Sequence, residues 1–125
     1  MVKTLLSMLI SLALLIGASI FEQRYVHNAF LRFTRVMQVL YDKTEKGTVT
    51  DEDGRAVCVY WEEQKKDLQI WLPHATLQEV DYQLYEAVGF IYVDDFQSAL
   101  PKIEVVLGMC ENIPYSYTLH IENTL

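Results

Sequence analysis

The chain has 125 residues, of which 51% are hydrophobic, and a formal net charge of −7. That length allows one domain with a modest core. The acidic excess argues against nucleic acid or anionic lipid as a partner, because both recruit Lys and Arg. The imbalance is local. From Met1 to Leu72 nine basic residues match nine acidic ones, whereas from Pro73 onward only Lys102 opposes eight acids. A solvated acidic face is the ordinary consequence.

The first element is an apolar run. Thr4 to Phe21 carry no charge and are bracketed by Lys3 and Glu22. As helix, eighteen residues cross most of a bilayer's hydrocarbon, so the expected partner of residues 4–21 is lipid. Two readings stay open. An uncleaved anchor is favoured by the length, by Tyr25 as an interfacial aromatic and by the small Gly17-Ala18-Ser19 corner, which suits helix packing. A secretory signal would use Lys3 as its basic start and the same small residues as its cleavage site, releasing a secreted protein. The anchor is preferred, with residues 1–21 as membrane segment and 22–125 as one extracytoplasmic domain. Arg24, Arg32 and Arg35 after the run favour a cytoplasmic domain by the positive-inside count. The layout of a short tail ahead of a single apolar run favours the opposite, with the N-terminus in the cytoplasm, and that placement is adopted. The same arginines, with Lys43 and Lys46, are expected to pair with later acidic helices or to rest against head groups.

Beyond the run, apolar residues recur at helical spacing. The first helix continues through Tyr25, Val26, Ala29, Phe30, Phe33, Val36, Met37 and Leu40. Gly47 to Gly54 reads as a turn, with Thr50 or Asp51 as N-cap of the next helix. The second helix runs to about Trp71 with Val57, Trp61, Gln64 and Leu68 on one face; Pro73 ends it or opens the next. The third follows a Thr76 cap and places Leu77, Val80, Leu84, Val88 and Ile91 inward. Asp94 and Asp95 start the fourth, in which Pro101 predicts a kink or a delayed start. The tail alternates as a strand would. Asn112 and Pro114 make a cap and first turn, so a short C-terminal helix with Ile113, Tyr117 and Ile121 at steps of four is preferred. The expected fold is all-α: an N-terminal transmembrane helix continuing into a small up-down antiparallel bundle of about four helices, plus a short C-terminal helix. In that topology Cys58 and Cys110 sit roughly 20 Å apart, beyond the reach of about 7 Å that a disulfide needs.

Trp61, Trp71, His74 with Leu77, Val80 and Asp81, then Asp94-Asp95-Phe96 with Ala99, and a closing Ile113–Asn123 stretch occur in this order after an N-terminal apolar run. Across nearly the whole chain this resembles the uncharacterised bacterial family catalogued as domain of unknown function 4363. Pro101 and the heavy acidic tail depart from that pattern. The resemblance implies a short membrane-anchored or exported helical protein, and it implies no activity.

Little in the chain points to chemistry. No H-E-x-x-H, paired-cysteine spacing or Gly-x-Ser-x-Gly elbow occurs, so no metal, cofactor or catalytic residue is expected. His74, at the mouth of the third helix, is expected to play a structural role through a hydrogen bond to Asp81 or a neighbouring helix. A catalytic role would require it to share a cleft with Asp81 or Glu122. Tyr60, Tyr82 and Tyr92 fall off the inward stripes and are the candidate interaction surface, since exposed Tyr is enriched at binding sites. The leading functional expectation is a non-enzymatic interaction or assembly module, with another membrane protein as its partner. The alternative is an extracytoplasmic ligand- or cation-binding domain that uses the acidic third and fourth helices.

Overall fold

The computed structural model describes residues 2–124, with side chains described for residues 2–115. Among these the chain forms four helices and no strand: α1 (Val2–Lys46), α2 (Asp51–Leu68), α3 (His74–Tyr92) and α4 (Phe96–Thr124). α1 packs on α2 and α4, and α3 packs on the same two, which is the neighbour pattern of an up-down four-helix bundle.

α1 is 45 residues long, about 67 Å at 1.5 Å per residue. Its two halves obey different patterns. From Val2 to Tyr25 no residue is buried; from Val26 onward Ala29, Phe30, Phe33, Met37, Leu40 and Thr44 are buried at steps of one, three and four. Those steps put one stripe against the bundle. Thr44 belongs to it despite its hydroxyl, which donates to the Leu40 carbonyl at 2.7 Å and is thereby satisfied.

The helix ends follow from local chemistry. Gly47 has φ +74°, and its amide and that of Thr48 bond to the Thr44 and Lys43 carbonyls. This is a Schellman closure, which favours glycine at the left-handed position. Thr50 caps α2 in a reciprocal box with Asp53, as the sequence suggests, and Lys43 reaches across from α1 to Asp53 at 3.0 Å. α2 stops at Leu68, three residues before the expected Trp71. α3 then opens on Pro73, so Thr76 lies in its first turn rather than at the cap. Asp95 caps α4 by accepting from the Ser98 amide. α4 therefore starts promptly and runs through Pro101, not after it.

The tail is helical, but as an unbroken continuation of α4 through Pro114 rather than as a separate helix. The side chains of Tyr117 and Ile121 lie outside the described residues. Cys58 and Cys110 are both free thiols, as the topology requires.

α3 closes with the same geometry as α1, but there Asp94 occupies the left-handed position with φ 59°, its amide and that of Asp95 bonding to the Ile91 and Phe90 carbonyls. Asp tolerates this conformation at a cost that glycine avoids. Asp94→Gly is therefore expected to raise stability by about 0.5–1 kcal/mol, read as a higher midpoint in denaturant titration of the detergent-solubilised chain.

Candidate functional site

Two features stand out above the packing: the uncovered half of α1 and a polar network between α2 and α3. The first needs little chemistry. The most apolar eighteen-residue window of α1 has a mean hydropathy of 2.3, and none of it is buried. Leu5, Leu9, Leu14, Leu15 and Phe21 all stand exposed on it. One helix is thus long and apolar enough to cross a membrane. Immediately above it, Arg24, Arg32 and Arg35 are exposed on α1, and Lys43 pairs with Asp53 on α2.

The second feature starts from the Trp61 indole, which is 0% exposed. Its ring stacks on Phe33 at 4.9 Å and tilts against Phe30 at 6.4 Å, both from α1. A buried indole N–H needs an acceptor. Asp81 on α3 supplies it, at 2.6 Å from Nε1. The same carboxylate accepts from Lys65 Nζ at 3.1 Å, and Lys65 also reaches Glu62 at 3.1 Å. Glu62 in turn accepts from the Tyr85 hydroxyl. Donors and acceptors alternate along Trp61, Asp81, Lys65, Glu62 and Tyr85. The chain stitches α2 to α3 and holds the indole against α1.

These contacts set the charge states. The Tyr85 hydroxyl and then Lys65 hold Glu62 below the usual carboxylate range. Burial works against the Lys65 ammonium, but its bonds to Asp81 and Glu62 prevail and raise its pKa. Burial, followed by Glu62, raises that of Tyr85.

Asp81 is thus a structural polar residue, but its partners are Trp61 and Lys65 rather than His74. His74 is exposed as the first residue of α3. Seven residues separate the two, about 10 Å along a helix axis, and Asp81 turns toward α2. Lys65, Glu62 and Tyr85 were not singled out by the sequence; their only trace is the Glu62–Lys65 spacing of three and the Asp81–Tyr85 spacing of four.

The tyrosines separate as well. Tyr60 is half-buried, stacked on Phe33 of α1 at 6.1 Å and 10°, so it is a packing residue. Tyr82 and Tyr92 are 56% and 45% exposed, but ten residues along α3 place them about 15 Å apart. Tyr92 also leans on α2 at Gly54, where its ring would touch any side chain added at that position. The three do not form one patch.

A shallow groove of about 420 Å³ runs between α1 and α4, lined by His27, Leu31, Thr34, Cys110, Glu111 and Pro114 among others. Among the described residues no group of three or more His, Cys, Asp or Glu converges as a cation would require. The Glu122 side chain lies outside the described residues. No family model, no curated protein and no solved structure matches this chain.

Removing the Asp81 acceptor strands a buried indole N–H. Asp81→Ala is expected to cost about 1–3 kcal/mol, and Asp81→Asn less, because an amide oxygen still accepts; denaturant melts followed by tryptophan fluorescence rank the two. Glu62 and Asp53 both have depressed folded-state pKa values, the latter through Lys43 and the Thr50 amide. Their contribution is present above the unfolded carboxylate range and lost as pH falls through the folded one. The melting temperature is expected to drop between about pH 5 and pH 3, with a shallower drop in Glu62→Gln.

Proposed function

We propose that the protein is a non-enzymatic, single-pass membrane-tethered module that holds its helical bundle in a fixed orientation for another membrane protein to bind. The observation that carries this reading is the continuity of α1, which passes without a break from wholly uncovered apolar helix to the buried stripe of the bundle. A signal segment destined for removal has no need to share a helix with the core. An α-helix is stiff over such lengths, so the bundle would inherit the tilt and rotation of the membrane segment.

The proposed side is extracytoplasmic. The net charge of −7 comes entirely from Pro73 onward, and an acidic domain close to an anionic cytoplasmic leaflet is repelled. The likeness to domain of unknown function 4363 is part of the same proposal and accords with a tethered helical protein.

Crosslinking in intact cells, with a photoreactive residue at Tyr82, should trap a defined larger species. Gln23→Pro, which breaks α1 at about 3 kcal/mol or more, should leave the chain in the membrane fraction while the crosslinked species is lost. A wild-type chain recovered only as monomer, or a Gln23→Pro variant that crosslinks as well as wild type, contradicts the reading. A reporter fused after Leu125 that is active only outside the cytoplasm checks the side.

A further inference from the structure

We propose that the turn between α2 and α3, with Ile70 and Trp71 at its tip, is a second membrane contact, seated in the headgroup layer beside the point where α1 leaves the hydrocarbon. This rests on the membrane-tether reading and adds to it a surface that the apolar run alone does not contain.

The topology puts the turn at the right end. α1 rises from its apolar half, α2 returns beside it, and α3 rises again, so the 69–73 turn lies at the base of the bundle. A line of rings fixes its level. Phe21, the last residue of the apolar run, stacks on Tyr25 at 6.5 Å, and Tyr25 meets Trp71 at 6.3 Å. Tyr25 is four residues, hence about 6 Å, above Phe21. The headgroup layer is about 5–7 Å deep on each side of the hydrocarbon. A Trp ring in contact with Tyr25 therefore falls in the layer that Trp and Tyr favour.

Ile70 is 72% exposed beside that ring. Single exposed aliphatics are ordinary, and Val93 at the opposite end of the bundle is 71% exposed. Ile70 differs by its place: it adjoins a half-buried tryptophan that packs against Tyr25 of α1, whereas Val93 adjoins Asp94 and Asp95. The backbone of the turn also suits a partly dehydrated site. The amides of residues 69 to 72 donate to the carbonyls of Lys65, Asp67, Leu68 and Leu68 respectively, which leaves few donors to strand. The polar and charged side chains that flank the turn in sequence, Lys66, Asp67 and His74, are all exposed and stay hydrated among head groups.

Nitroxide labels on Leu12→Cys, Ile70→Cys and Val93→Cys in the full chain, reconstituted in phosphatidylcholine nanodiscs, test this. Burial pushes the Cys58 and Cys110 thiols up to about 11 and about 12, so labelling should be confined to the introduced cysteine, with the wild-type chain as blank. Collision with a water-soluble nickel chelate is expected to be lowest at position 12, highest at 93, and at 70 at least about threefold below 93. Position 70 matching 93 while 12 is shielded overturns the second contact and leaves the tether standing. A solvent-accessible position 12 overturns both. A label-free repeat uses brominated acyl chains, which should quench wild-type fluorescence and leave Trp71→Phe, with only the buried Trp61, largely unquenched.

Discussion

Everything in this structure depends on one helix that has to satisfy two different surroundings. The lower half of α1 is apolar on all sides, and nothing in the described chain covers it. The upper half is apolar on one stripe because α2 and α4 cover that stripe and water takes the rest. The backbone hydrogen bonds run without a break through the change of pattern at Glu22 to Tyr25. Whatever solvates the lower half therefore sets the direction of the upper half, and with it the direction of the whole bundle.

The upper half is gripped firmly enough to transmit that constraint. Phe30 and Phe33 hold Trp61, and burial of such rings contributes about 2–3 kcal/mol each. The indole N–H is then tied to Asp81, which is tied to Lys65, so three helices meet in one satisfied cluster. On the far side Tyr41 of α1 donates to Glu104 of α4 at 3.1 Å, and Lys102 pairs with Glu86 of α3 at 2.7 Å. These exposed pairs add little energy, but they agree in register with the buried stripe. The polar groups of the α2–α3 network are occupied by one another, so the cluster serves packing.

Much of this was legible in the sequence, and the failures share a cause. Helix positions follow from periodicity, and the Thr50 cap from local chemistry, because both depend on neighbours in the chain. The Trp61 stripe was readable; its acceptor was not, because the α2–α3 register decides whether Asp81 meets an indole, an ammonium or a histidine. Tyr60 lies off the stripe of its own helix, and only the approach of Phe33 from α1 turns it into a packing residue. The helix ends at Leu68 and Pro73 moved because the Ile70 and Trp71 amides bond to carbonyls three residues back, of Asp67 and Leu68, which tightens the chain out of the α pattern. Pro101 suggested a kink or a delayed start and Pro114 a separate helix; α4 instead starts at Phe96 and continues through both as one helix, packed against α1 and α3.

The central claim, that α1 is one rigid helix from its uncovered apolar half to the bundle core, is tested most directly by a distance. Spin labels on Leu12→Cys, in the uncovered half, and Val39→Cys, exposed on the packed half, span 27 residues of helix, or about 40 Å. Pulsed electron resonance on the chain in nanodiscs is expected to give a single narrow distribution near that value. A broad distribution, or one centred well below 30 Å, would show that the helix bends or breaks where the patterns change, and would contradict the account.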